Sequence, residues 1–246
     1  MIIASTHLSG AQQIAFDAVG RHAIQADHSF NGGNYYGTEG PAQGLAIARM
    51  LAHITYLSEE SMRMKFGRSL RSAEALQYDF DSEFAVETYL DYQGEQFVNR
   101  FDANTYLYVT KALDYFDIAA TYGSLDEAMK RVLGKVLVIS FSSDWLYPPY
   151  FSQEIVYTLA RQKKNVSYCN IQTDYGHDAF LLEVGVISKI VRGFLEHARN
   201  PELVRTQLLN ADSETETAPP AAAMENIYEG HRVDYEMIVD LVENGS

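Results

Sequence analysis

The chain has 246 residues, 47% of them hydrophobic, a balance that suits a globular core rather than a disordered chain. Its formal charge of −14, with no basic cluster beyond Lys163-Lys164, argues against a nucleic-acid-binding surface. No apolar run approaches the roughly 20 residues of a membrane span. The start, Met1-Ile2-Ile3-Ala4-Ser5-Thr6, lacks the basic region and long apolar stretch of a signal peptide. The single Cys169 has no partner for an intramolecular disulfide, so a reducing, cytoplasmic location is expected, without membrane or nucleic-acid partners.

In chain order, Ile2-Ile3-Ala4 reads as a short strand and Gln12 to Ala26 as a helix. A chain that opens on one edge strand has little to pair with nearby. Asn31-Gly32-Gly33-Asn34-Tyr35-Tyr36-Gly37 is turn-rich. Leu45, Ala48, Leu51, Ala52 and Thr55 then follow a helical rhythm over Pro41 to Tyr56, and Ser58-Glu59-Glu60 reads as the cap and first turn of a further helix. Phe84 to Tyr122 carries Tyr89, Tyr92, Phe97, Tyr106, Tyr108, Tyr115 and Phe116 at helical spacings, so residues 30–125 are expected to form a helical block.

After Gly134 the pattern changes. Val136 to Phe141 is a buried-strand signal, Tyr150 to Lys164 a helix, Val166 to Ile171 a second strand and Asp178 to Ala198 a closing helix. Strand–helix–strand–helix implies parallel strands at the end of an α/β sheet. The Asp/Ser/Glu/Thr then Ala/Pro composition of 210–223 cannot bury a core and marks a linker, after which Arg232 to Val242 resumes an amphipathic helical pattern.

Asp144 lies three residues past the first of these strands and His177 six residues past the second. Both therefore sit at carboxyl ends of adjacent parallel strands, where α/β sheets place catalysts. The order acid-then-histidine fits the last two members of a Ser–Asp–His triad, in which the carboxylate fixes the imidazole tautomer and the histidine acts as base and then acid. The nucleophile is not evident. No serine here has the Gly-x-Ser-x-Gly elbow pattern; Gly67-Arg68-Ser69-Leu70-Arg71 matches half of it in a helical context, and Cys169 falls inside a strand.

Several long motifs carry a family resemblance. Gly44-Leu45-Ala46-Ile47-Ala48-Arg49-Met50-Leu51-Ala52-His53-Ile54-Thr55-Tyr56-Leu57-Ser58 with Lys65-Phe66-Gly67-Arg68, Tyr89-Leu90-Asp91-Tyr92-Gln93-Gly94, and Arg100-Phe101-Asp102-Ala103-Asn104-Thr105-Tyr106-Leu107 occur in order. So do Ser143-Asp144-Trp145-Leu146-Tyr147-Pro148-Pro149 and Gly176-His177-Asp178-Ala179-Phe180-Leu181. Over about residues 2–200 this resembles the homoserine O-acetyltransferases of the α/β-hydrolase superfamily.

The resemblance implies a partial α/β-hydrolase fold, the end of a parallel sheet with a helical lid insertion. The expected parts are core at 1–29, lid at 30–125, core again at 126–205, a linker at 206–226 and the start of a second domain at 227–246, where Arg232 to Val242 resembles the opening of a methyltransferase-like methionine-biosynthesis protein. It also implies acyl transfer from acetyl-CoA to L-homoserine in methionine biosynthesis through a serine ester. Asp144 and His177 would be acid and base, Arg49 would hold the substrate carboxylate, and Asp178 would pair with its ammonium. No metal is implied, and no cofactor besides acetyl-CoA as acyl-donor substrate. A homodimer through the lid is implied as well.

The departure is the missing serine, which the elbow pattern would put about 20 residues before Met1. This is the reading of a fragment, inactive alone. A succinyl donor, a hydrolase on the same fold, or an inactive fragment retaining only lid dimerisation are the alternatives. Arg49 also suits a plain lid surface and Asp178 a helix N-cap. His53, Tyr56, Asp102 and Asn104 are expected to tie or cap lid helices.

Overall fold

The computed structural model describes residues 1–71, 75–78 and 80–199. The linker expected at 206–226, the second-domain start at 227–246 and the amphipathic stretch 232–242 lie outside the described residues. Among the described residues there are three strands, β1 (Ile2–Ile3), β2 (Val136–Phe141) and β3 (Val166–Ile171). The helices are α1 (Ala11–Ala26), α2 (Ala42–Tyr56), α3 (Glu59–Lys65), α4 (Ala85–Val98), α5 (Ala103–Asp114), α6 (Ile118–Tyr122), α7 (Leu125–Lys130), α8 (Pro149–Arg161), α9 (Ala179–Leu182) and α10 (Val184–Arg199).

All three strands run parallel in the order β1-β2-β3. Val136 pairs with Val166 and Phe141 with Ile171, while Ile2 and Ile3 pair with Val138 and Ile139 on the other side of β2. The short first strand thus finds its partner across the whole helical block, a pairing that local sequence cannot reveal. Every residue of β2 is buried, as expected of a central parallel strand with both faces covered. The alternation of side chains assigns each face its own cover. Val136, Val138 and Tyr168 pack with Ala128 and Met129 of α7 and Ile155, Val156 and Leu159 of α8. Leu137, Ile139, Phe141, Cys169 and Ile171 face Ile187, Ile190, Val191 and Phe194 of α10.

The helices between β1 and β2 build a separate apolar cluster of Ile24, Tyr35, Leu45, Ala48, Phe97 and Ala103. Their starts are fixed by polar caps: Ser58 accepts from the Ser61 N–H at 3.0 Å, Asp102 from Thr105 at 2.7 Å and Asp117 from Ala120 at 2.9 Å. Asp27 accepts from the Ser29 N–H with one oxygen and from the Gly44 N–H, at 2.9 Å, with the other, so one carboxylate joins the end of α1 to the start of α2. The two helices touch at Gly44, where a Cβ would stand 2.4 Å from the Ala23 carbonyl oxygen.

The closing helix differs from its sequence-based form. A 3₁₀ turn at Gly176–Asp178 leads into α9, and the helix breaks at Glu183 (φ −81°, ψ 36°) before α10 begins. Glu183 is 5% exposed, and its carboxylate accepts from the Thr173 hydroxyl at 2.8 Å. That bond back to the loop after β3 holds the break. The six-residue α7, capped by Ser124, was not foreseen; it is too short to show a period.

Candidate active site

β2 and β3 end in register, so the loops leaving Phe141 and Ile171 emerge side by side. Asp144 turns in the first loop, its own N–H donating to the Phe141 carbonyl at 3.1 Å. Its Oδ1 accepts from the Leu146 and Tyr147 N–H groups at 3.0 and 2.8 Å, and its Oδ2 lies 2.9 Å from His177 Nδ1. The residue is 2% exposed. A buried carboxylate needs such a complement of donors to stay charged. With Nδ1–H donating to Asp144, the His177 tautomer leaves Nε2 with its lone pair, the form of a general base. Among the described residues Nε2 has no hydrogen-bond partner.

Backbone geometry delivers the imidazole. Gly176 has φ +73°, and a Cβ there would fall 2.4 Å from Ser58 N. Only glycine fits both the left-handed conformation and the close approach. The Gly176 N–H donates to Ser143 Oγ at 2.9 Å. The Ser58 hydroxyl donates to the Asp174 carbonyl, and Trp145 Nε1 donates to the Leu57 carbonyl at 2.9 Å. The loops after β2 and β3 are therefore both latched to the α2–α3 junction. The latch sets Tyr56 beside His177, with ring centroids 6.1 Å apart, while Tyr147 at 5.4 Å and Phe180 at 5.3 Å complete the surround.

Arg49 lies two turns before Tyr56 on α2. Its guanidinium sits 4.7 Å from the Phe97 ring centroid and 5.5 Å from that of Tyr56, with Nη1 3.4 Å from the Tyr56 hydroxyl. Its Nε is buried without a partner, and no carboxylate among the described residues forms an ion pair with it. Asp178 follows His177 directly. Burial pushes its carboxyl up, and the charges of His177, Arg49 and Lys65 pull it back. Asp178 occupies the N-cap position of α9, yet its side chain makes no cap hydrogen bond.

Asp144 touches His177, Asp178 follows His177, and Arg49 approaches them across Tyr56, although the four come from three separate stretches of chain. Tyr56 stands between Arg49 and His177, a placement that sequence reasoning missed; its only signal was that it falls seven residues after Arg49, on the same face of α2. His53 bonds Tyr89 through Nδ1 at 3.0 Å. Burial, then Arg49, Lys65 and Arg100, push it down to about 4, so it is neutral at pH 7. Asp102 accepts from the Tyr35 hydroxyl at 2.5 Å, and Asn104 donates to the Gly33 carbonyl at 2.9 Å. These three tie lid helices together, as expected. Burial pushes the Cys169 thiol up to about 11, which makes it a poor nucleophile. Among the described residues no cluster of His, Cys, Asp and Glu could hold a metal ion.

A buried carboxylate–imidazole dyad at strand ends, roofed by helices, is a geometry that acyl-transfer and hydrolytic sites share, and it does not tell one family from another. The sequence comparison finds relatives of one kind. Over 197 residues the chain is 54% identical to the homoserine O-acetyltransferase of Methanococcoides burtonii. Over most of its length, this chain is a homologue of the homoserine O-acetyltransferases. The match takes in 80% of this chain and 40% of that relative. A relative from Methanocorpusculum labreanum, 47% identical, is matched along 96% of this chain and 48% of its own length. The chain spans less than half the length of these curated relatives. No family model matches it. Among solved structures, the homoserine O-acetyltransferase of Bacillus anthracis superposes with a TM-score of 0.72 at 24% identity, over 78% of this chain and 52% of that one. At this identity the likeness shows the fold, which is the α/β-hydrolase fold, seen here in part with a helical block between β1 and β2.

Proposed function

We propose that this chain supplies the acid–base dyad and the acceptor pocket of an acyl transferase that moves an acetyl group from acetyl-CoA to the hydroxyl of L-homoserine, a step toward methionine. His177 Nε2 takes the proton of a serine hydroxyl as that oxygen attacks the thioester carbonyl, then returns it to the departing thiol. In the second half-reaction it takes the proton of the homoserine hydroxyl, which attacks the serine ester, and returns that proton to the serine oxygen as the ester bond breaks. Asp144 holds the tautomer and stabilises the imidazolium. The serine stands outside these 246 residues, since none of their serines has the elbow pattern. A homodimer through the lid belongs to the same reading, supported by the exposure of Ile47, Tyr92, Tyr108, Val109 and Leu113.

The observation that carries the proposal is the pairing of Arg49 with Asp178. The two lie close to His177, Asp178 as its neighbour in the chain and Arg49 across Tyr56, opposite in charge and, among the described residues, without an ion pair between them. That arrangement matches the carboxylate and ammonium of an α-amino acid, and a simple esterase has no need of it. Calorimetric titration of L-homoserine into the chain tests it. Binding is expected to be saturable and to weaken about tenfold or more in Arg49→Ala, the loss of one charge-assisted contact. Equal binding by parent and variant, or of an uncharged alcohol as tightly as homoserine, would reject the acceptor pocket in favour of a hydrolase.

A further inference from the structure

One face of α2 carries Arg49, His53 and Tyr56 at helical spacings. His53, in the middle, is buried. Its imidazole stands edge-on to two phenol rings, Tyr56 at 5.4 Å and Tyr89 of α4 at 5.6 Å between centroids, with interplanar angles of 65° and 87°. Its Nδ1 lies within hydrogen-bond distance of the Tyr89 hydroxyl, at 3.0 Å, and its Nε2 is buried without a partner among the described residues. The ring therefore has one polar anchor there, and that anchor is on α4. A buried polar group with a single bond loses much when that bond is removed.

Tyr89 is itself clamped. Its ring centroid lies 4.9 Å from that of Phe66, just after α3, and Lys65 Nζ sits 4.4 Å from it. The two helices meet at Gly94 of α4, where a Cβ would stand 3.1 Å from the Ala46 side chain of α2. Such packing sets how closely α2 and α4 approach but does little to fix their rotation, because apolar contact is non-directional. A hydrogen bond is directional. The bond between His53 and Tyr89 thus fixes which way this face of α2 turns. What it turns is Tyr56, whose ring stands 6.1 Å from that of His177 and whose hydroxyl lies 3.4 Å from Arg49 Nη1. The Arg49 guanidinium in turn lies 4.7 Å from the Phe97 ring centroid of α4.

We propose that His53 and Tyr89 are positioning residues, whose hydrogen bond between α2 and α4 holds the Tyr56 ring between the Arg49 guanidinium and the His177 imidazole. Neither residue touches the reacting atoms. Burial, then Arg49, Lys65 and Arg100, keep His53 neutral at pH 7, so it acts through its bond and its ring rather than through a charge. Its effect on homoserine rests on the acceptor reading given above, whereas the placement of Tyr56 does not.

Tyr89→Phe tests this, since it removes the hydroxyl and keeps the ring. Two readouts on the full chain are the NMR shift of the His177 Cε1 proton, which senses the ring current of Tyr56, and calorimetric titration of L-homoserine. Tyr89→Phe is expected to move the His177 signal and to weaken homoserine binding about fivefold, the loss of one buried hydrogen bond. In a Tyr56→Phe background the further loss is expected to shrink below about twofold, because residues that act in series are not additive. A tie that only stabilised the helical block would lower Tm and leave both readouts of the folded chain unchanged. An unmoved His177 signal, equal homoserine binding by parent and Tyr89→Phe, or a loss that persists in full beside Tyr56→Phe would each overturn the positioning role. A signal that moves while the parent binds no homoserine supports the placement of Tyr56 and overturns the acceptor reading instead.

Discussion

His53 and Gly176 are placed for opposite physical reasons. His53 is buried among cations that are not its partners, with Nε2 unbonded. Its titration is pushed from the ordinary 6.5 down to about 4, so the folded chain binds this proton less readily than the unfolded one. The stability it contributes is complete above pH 6.5 and falls as pH drops toward 4. His53→Gln is therefore expected to lose less Tm than the parent between pH 7 and 5.5, read by thermal melts; an unchanged slope would mean that His53 is solvated. At this scale the Asp144–His177 dyad was legible, because its two residues follow strands at short spacings. Tyr56 was not, because its position depends on the Gly176–Ser58 contact and the Trp145–Leu57 bond, which join stretches far apart in the chain.

The elements follow local rules wherever their cues are local. α2 and α3 start and stop where the helical rhythm and Ser58 place them, and β2 and β3 sit on their apolar runs. The departures occur where a distant bond intervenes: the closing helix breaks at Glu183 because its carboxylate is held by Thr173 across the loop. The α1–α2 contact depends on one absent side chain. Gly44→Ala would put a methyl 2.4 Å from the Ala23 carbonyl, a backbone atom that cannot rotate away. We expect a loss of about 1–3 kcal/mol in urea unfolding, with weaker homoserine binding as Arg49 shifts on the same helix. A neutral substitution would mean that the helices stand farther apart.

At the scale of the whole molecule, the chain exposes large apolar side chains on α2, α4 and α5: Tyr108 is 79% exposed, Tyr92 56% and Ile47 52%. Such exposure fits an interface better than a free surface. Sedimentation velocity is expected to show a dimer for the parent at micromolar concentration and a monomer for Tyr108→Glu. A parent that sediments as a monomer across that range would reject lid dimerisation.

The sequence by itself determined the element types, the parallel character of the sheet, the dyad and the family motifs, because period, caps and short spacings are properties of neighbouring residues. Only the tertiary structure decided which strand pairs with Ile2-Ile3, that Tyr56 stands beside His177, and that Asp178 caps nothing with its side chain. Each depends on contacts between segments distant in the chain. Their desolvation and Coulombic effects exist only after the helices have packed.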